Sequence, residues 1–245
     1  MASAGVASRR QCEELVLSGA VRVNGRVVDS LPVFVDPQTD AITVRGRRLK
    51  EPPRVYFLLN KPKGVICTSS DPFGRPKAVD LVSAKERIFC VGRLDADTTG
   101  LIILTNDAEL TNRLTHPRHK VPKTYVATVA GRVEPKTVDK LKKGIWLAEG
   151  KTSQAAVKVL RSGHSVSLIE ITIRQGLNRQ IRRMLARVGL PVKSLRRTRV
   201  ASLRLEGLGV GKYRPLSKAE VAALQRTTRA AAASGPRKQH QPGTP

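Results

Sequence analysis

The sequence predicts an α+β fold, and three observations carry that expectation. Apolar runs of strand length, residues 88–91 and 101–104 among them, recur along the chain between polar, glycine-bracketed loops. Asn24-Gly25 sits inside an alternating segment, residues 21–27, which is the strongest short hairpin signal. Helices are announced by three capping boxes, Ser8 with Gln11, Asn106 with Glu109 and Ser217 with Glu220.

Taken in order, residues 1–49 read as a small first unit. Ser8 caps a helix whose apolar face is Cys12, Leu15 and Val16, and Gly19 stops it. The Asn-Gly hairpin follows, and Arg9, Arg10, Arg22 and Arg26 gather at one edge as a basic, phosphate-suited surface. Residues 50–54, with Pro52-Pro53, are a short stiff linker. A second, larger unit is expected over 55–225. It begins with a strand at 55–59, a turn at Asn60-Lys61-Pro62-Lys63-Gly64 and a second strand at 65–68. Asp71-Pro72-Phe73-Gly74-Arg75-Pro76 is a turn-rich loop, followed by a short helix at 79–82.

The central stretch is Gly92-Arg93-Leu94-Asp95-Ala96-Asp97-Thr98-Thr99-Gly100, between two apolar strands. That context places Asp95 at the mouth of a sheet, where a carboxylate is held in a cleft rather than solvated on a face. Alternation directs Asp97 elsewhere, so a two-carboxylate pair of the glycosidase kind is not expected. A helix at 107–114 follows, then a basic loop, His116-Pro117-Arg118-His119-Lys120, whose proline and two cations do not suit a metal. Residues 123–129 alternate and put Tyr125, Ala127 and Val129 on one face of a strand. A helix at 135–143 and a hairpin of strands at 155–160 and 165–173 complete the scaffold.

Gln175-Gly176-Leu177-Asn178 leads into a helix at 179–188, ended by Gly189 and Pro191. Its apolar face is Ile181, Met184, Leu185 and Val188; Arg179, Arg183 and Arg187 stripe the opposite face, and Arg182 falls on the border, where its guanidinium tucks inward. Residues 171–205 hold ten Arg or Lys and no Asp or Glu, so these cations call for an outside anion or a specific carboxylate such as Asp95. A strand at 200–205 and a helix from Ser217 follow, and residues 226–245 read as a basic, disordered tail that adds electrostatic affinity.

Composition narrows the partner. The net charge is +26 over 245 residues, with pI near 11.1. Such an excess favours a polyanion, nucleic acid before an anionic membrane. No apolar run approaches the ~18 residues that span a bilayer, and no signal-peptide core follows Met1. Cys12, Cys67 and Cys90 are widely spaced and odd in number, as for reduced thiols of a cytoplasmic protein. Aromatics make up only 3% of the chain, so binding must lean on arginine and shape rather than on a broad aromatic platform.

Four motifs in order then resemble one family. They are Leu59-Asn60-Lys61-Pro62-Lys63-Gly64, Gly92-Arg93-Leu94-Asp95 with Thr98 and Gly100-Leu101, Lys123-Thr124-Tyr125-Val126, and Gln175-Gly176-Leu177-Asn178-Arg179-Gln180-Ile181-Arg182-Arg183-Met184. Together they resemble the bacterial ribosomal-RNA pseudouridine synthases of the RsuA/RluB type. Ala4-Gly5-Val6-Ala7-Ser8-Arg9-Arg10 with Gly19-Ala20-Val21-Arg22-Val23-Asn24-Gly25 resembles the αL RNA-binding domain of a ribosomal protein, with the first half-helix of that domain absent ahead of Met1. The resemblance implies an α+β catalytic domain on a long antiparallel or mixed sheet, acting on ribosomal RNA as a monomer in the cytoplasm without cofactor or metal. It implies that Asp95 is the catalytic aspartate, that Tyr125 stacks on the target base, that Arg182 pairs with Asp95, and that Arg93 lies beside the space a flipped base vacates. Arg9, Arg10, Lys61, Lys63, Arg75, Asn178, Arg179, Arg183 and Arg187 are the further RNA-binding expectations.

The reaction explains why few groups suffice. Turning uridine into pseudouridine breaks the N1–C1′ bond and re-forms the link through C5, with no redox change and no external nucleophile consumed. It calls for an ionised carboxylate at the sugar or base, a flat side chain that retains the detached uracil, and basic surface that holds the extruded nucleotide's backbone. Asp71-Pro72-Phe73-Gly74-Arg75-Pro76 and Gly176-Leu177-Asn178-Arg179-Gln180 lean toward the large-subunit RNA members, with small-subunit RNA as the alternative. The rival class is a non-catalytic ribosome-assembly factor, against which Asp95, Tyr125 and Arg182 stand together. A DNA-binding reading lacks a recognition-helix pattern.

Overall fold

The computed structural model describes residues 1–2, 4–36 and 39–233. The chain divides into two compact units: residues 1–55 with 84–88 and 106–108, and residues 56–83, 89–105 and 109–245. In the first, α1 (Arg9–Leu17) opens on the expected box, the Ser8 hydroxyl accepting from the Gln11 N–H, and buries Cys12 and Val16. β1 (Val21–Val23) and β2 (Arg26–Val28) form the hairpin, with Asn24 and Gly25 at φ 52° and 82°, the left-handed pair that a two-residue turn requires. β3 (Ile42–Val44) and β4 (Arg47–Arg48) complete a four-stranded sheet of order β2-β1-β3-β4.

The second unit is built on one nine-stranded sheet. Its strands are β5 (Tyr56–Lys61), β6 (Phe89–Cys90), β7 (Thr98–Thr105), β8 (Lys123–Ala130), and, after a small hairpin of β9 (Trp146–Leu147) and β10 (Gly150–Lys151), β11 (Ala156–Arg161), β12 (Val166–Ile173), β13 (Val192–Val200), β14 (Leu203–Arg204) and β15 (Tyr213–Pro215). The main path runs β11-β12-β8-β13-β7-β5-β15, with β6 paired to β7 and β14 to β13. Only the β13–β7 pairing of these is parallel, so the sheet is mixed. The helices are α2 (Ala108–Thr115), α3 (Pro135–Lys143), α4 (Gln180–Arg187) and α5 (Lys218–Ala233). Leu58, Leu101 and Ile103 from β5 and β7 meet Leu110 and Leu114 of α2 and Leu224 of α5 in one buried cluster. Fully burying each such side chain stabilises the fold by about 1.5–3 kcal/mol, so this cluster anchors the sheet on which the site is built.

Several expectations are corrected. Residues 65–68 are not a strand; Ile66 makes a single bridge to Lys77. The strand expected at 200–205 is the end of something larger, since the basic segment Val192–Val200 is itself a central strand. Asn106 does not cap α2: its side-chain oxygen accepts from the Val55 N–H and its amide donates to the Pro53 carbonyl. Helix α5, opened by the Ser217–Glu220 box, does not stop at 226 but runs to Ala233, because Leu224 and Thr228, one turn apart, are both buried. Residues 234–245 of the expected tail lie outside the described residues.

Candidate active site

Strands β7, β8 and β13, the segment before β7 and the segment before α4 converge on a cleft of about 370 Å³. That lies within the roughly 300–1,000 Å³ of small-ligand sites. Asp95 lines it from a turn rather than a strand: the Thr98 N–H donates to the Asp95 carbonyl at 3.0 Å. The turn is clamped on both sides. Gly64 N–H donates to the Ala96 carbonyl at 2.7 Å, and Leu94 N–H donates to Cys67 Sγ at 3.4 Å. Below it, Lys61 is fully buried and its Nζ donates to the carbonyls of Val65 (2.6 Å), Pro62 (3.0 Å) and Ala96 (3.5 Å). Burial pushes the Lys61 ammonium down, opposed by Cys67, Asp97 and Asp95. Lys61 therefore holds the site's backbone and does not reach RNA, which corrects its expected role. A chain that buries a lysine must satisfy its protons, and these carbonyls do so.

The arginine pairing also differs from expectation. Arg182 does not meet Asp95; its Nη2 lies 3.1 Å from the Asp97 carboxylate and 3.2 Å from the Asp97 carbonyl. Arg179 is the residue that reaches Asp95, at 3.5 Å, while its fork also grips both oxygens of Asp97 at 3.3 and 3.2 Å. Two causes produce this. Helix α4 starts at Gln180, which leaves Arg179 as its N-cap in the left-handed region (φ 46°) and off the outer stripe. And because residues 95–98 turn, strand alternation does not send Asp97 away. Burial opposes ionisation of Asp97, but the Arg179 fork and the Arg182 charge outweigh it and hold the carboxyl below its ordinary range. Arg183, expected to face phosphate or water, instead pairs with Glu149 in the β9–β10 turn at 2.8 and 2.9 Å. Arg187 is exposed, as the stripe requires.

Tyr125 lies on the cleft wall from β8, only 8% exposed, with Ala127 and Val129 buried on its face as alternation predicts. Lys123, on the same face, is pushed down to about 8 by burial and by the nearby Arg197. Arg197 of β13 stands opposite Tyr125 in the sheet, is 3% exposed, and donates from Nε to the Leu101 carbonyl at 2.7 Å. Sequence reasoning missed Lys123 and Arg197 as site residues. The Lys-Thr-Tyr motif held a signal for the first; Arg197 carried none, being one of ten cations in an acid-free stretch. Its closeness to β7 explains Gly100, since a Cβ there would sit 2.2 Å from the Arg197 carbonyl oxygen. Arg93 and Asn178 are exposed at the cleft, Lys63 and Arg75 are exposed in the segment after β5, and Arg9 and Arg10 are exposed on α1 of the first unit.

Asp95 is 30% exposed, open enough to touch a ligand. The cleft thus offers an accessible carboxylate beside a guanidinium, with an aromatic ring and further cations around it. Among the described residues no cluster of His, Cys, Asp and Glu suits a metal ion, and no helix is long and apolar enough to cross a membrane.

Comparison with known proteins places the chain among its relatives. Residues 55–187 match the model of the RNA pseudouridylate synthase family, and residues 1–39 match the S4 domain. The chain is 45% identical over 228 residues to ribosomal large subunit pseudouridine synthase B of Bacillus subtilis, covering 92% of this chain and 93% of that protein. It is 42% identical to an uncharacterized RNA pseudouridine synthase of Aquifex aeolicus, covering 91% of each. The crystal structure of a pseudouridylate synthase matches with a TM-score of 0.67 at 32% identity, over 91% of this chain and 96% of the other.

Proposed function

Because the chain belongs to the RNA pseudouridylate synthase family, we propose that it isomerises a uridine of large-subunit ribosomal RNA, with Asp95 as the catalytic carboxylate. One observation carries the choice of residue: of the two carboxylates gripped by Arg179, Asp95 lines the cleft and Asp97 does not. In this reading Asp95 meets the electron-poor C1′ as the N1–C1′ bond breaks, and Tyr125 keeps the detached uracil against the sheet while C5 turns toward the sugar. Arg179 orients Asp95. Arg182 acts through Asp97, fixing the turn that carries Asp95, and is a positioning residue. Arg93, Asn178, Lys123 and Arg197 surround the extruded nucleotide with cations and an amide.

The name of the Bacillus subtilis relative supports the large subunit as the RNA. The S4 domain, with exposed Arg9 and Arg10, supports a second RNA contact, and Arg75, Lys63 and Arg187 extend the basic surface. Action as a monomer in the cytoplasm, on ribosomal RNA, completes the reading. The test is pseudouridine mapping of both ribosomal RNAs from cells with and without the gene, complemented by wild type or Asp95→Asn. One large-subunit pseudouridine should vanish with the gene, return with wild type and stay absent with the variant. A lost small-subunit site would redirect the substrate, and no lost site would leave an assembly factor.

A further inference from the structure

The loop between Cys67 and Lys77 spends its polar groups on fixing an exposed tip. The Asp71 carboxylate, 3% exposed, accepts from the Phe73 N–H (3.1 Å), the Arg75 N–H (2.9 Å) and the Arg75 guanidinium (2.5 and 3.1 Å). Arg75 in turn lies over the Phe73 ring, 5.3 Å from its centroid. Yet Phe73 is 79% exposed. A single exposed apolar side chain is ordinary. One held by a buried carboxylate and layered on a guanidinium is pre-organised, which lowers the entropy of ordering it around a ligand.

Its position suggests what that ligand is. The loop's base is tied by Ile66 N–H to the Pro76 carbonyl (2.9 Å) and by Ala78 N–H to the Ile66 carbonyl (2.8 Å). The same base is tied to the Asp95 turn, through Gly64 to Ala96 and Cys67 to Leu94. Phe73 is six positions along from Cys67, so its Cα lies within ~20 Å of the Cys67 Cα, a reach of a few nucleotides from the cleft. A flat ring backed by a cation suits a nucleobase face and the phosphate beside it. A partner protein's apolar pocket would not need the guanidinium, and the chain's net charge of +26 selects against a basic ribosomal protein.

We propose that Phe73 and Arg75, held by Asp71, form a stacking platform for an unpaired base flanking the target uridine. This rests on the functional reading above. The test uses in vitro transcripts of the large- and small-subunit ribosomal RNAs, with pseudouridine formation followed under single turnover as enzyme concentration is varied. Phe73→Ala should raise the half-saturating concentration about tenfold to a hundredfold, more than it lowers the rate at saturation. Phe73→Trp should restore affinity, since any π-face stacks. Trp146→Ala removes the other exposed aromatic of the same unit, 68% exposed, and should change neither quantity. Thermal midpoints of all three should match wild type. Wild type active with Phe73→Ala indistinguishable from it would overturn the platform alone. Equal losses in the Ala and Trp variants, or in Trp146→Ala, would do the same, as would an effect seen on ribosomal particles but not on naked RNA. Wild type inactive on both transcripts would remove the functional reading, and this inference with it.

Discussion

Two turns of the second unit are each organised by an aspartate and an arginine, and they work in opposite ways. In the 71–75 loop the partners are four residues apart, and the pair fixes its own exposed tip. In the 95–97 turn the guanidiniums come from 82 to 85 residues further along the chain. There the contacts join two segments far apart along the chain. The first turn is a local device that folds with its own sequence. The second exists only once β7, β8 and β13 have brought α4 to Asp95. The proposed chemistry lies in the second and the proposed RNA contact in the first, so losses in the two should separate into rate and affinity.

The largest expected effect is Asp95→Asn. The amide keeps the size and loses the charge, so the single-turnover rate should fall by about 10³-fold or more, with RNA affinity within about threefold of wild type. A rate above a few per cent of wild type would show that the carboxylate is not the reacting group.

Next comes the lysine beneath the turn. Lys61→Met takes the Nζ donor from the Val65 and Pro62 carbonyls, while Ala96 keeps only the Gly64 N–H, and should cost about 2–4 kcal/mol in urea unfolding. Lys63→Met, two residues away and exposed, should leave the midpoint unmoved. Equal midpoints for the two variants would mean that burial of Lys61 does not hold the turn.

Within the arginine pair, Arg182 is 13% exposed and Arg179 is 44% exposed. Arg182→Ala strips Asp97 of its sheltered cation and frees its carbonyl, so the rate should drop by about 100-fold; Arg179→Ala should lose about tenfold. Because both guanidiniums grip Asp97, each combined with Asp97→Ala should lose less than the sum of the single effects, Arg182→Ala most of all since it reaches Asp95 only through Asp97. Additive losses would show that Asp97 does not link them.

The smallest effect concerns Lys123, whose pKa lies near 8 against about 10.4 unfolded. The unfolded chain binds this proton more readily, so the ammonium costs stability below pH 8, and the cost fades as pH rises toward ~10.4. Lys123→Met should therefore be more stable than wild type at pH 7, by about 1 kcal/mol after allowance for solvent screening, and should lose that advantage by pH ~10.5. It should also bind RNA more weakly, as expected where a cation is held in a cleft for an anionic ligand. A stability difference that does not change with pH would place the ammonium in water.

What the sequence by itself determined was everything set by near neighbours. The Ser8–Gln11 box, the Asn24-Gly25 turn, the helix Pro135–Lys143 and the buried face of Tyr125, Ala127 and Val129 are written in residues two to four apart, where period and capping chemistry act directly. The resemblance of four motifs reached further, to the family, and singled out Asp95 and Tyr125, both of which line the cleft. Only the tertiary structure decided which cation meets which acid. Residues 192–199 show no strand signal in sequence because their polar side chains interrupt any apolar run, yet pairing with β7 and β8 makes Val192–Val200 a central strand and buries Arg197. Lys61 reads as a surface lysine until the carbonyls around it are assembled. Arg179 takes the Asp95 contact expected of Arg182, and Arg182 turns to Asp97, because one residue's shift in where α4 begins, and a turn at 95–98 that overrides strand alternation at Asp97, redirect both side chains. Charge pairing over such separations depends on distances of an ångström or two, and those are fixed by packing rather than by spacing along the chain.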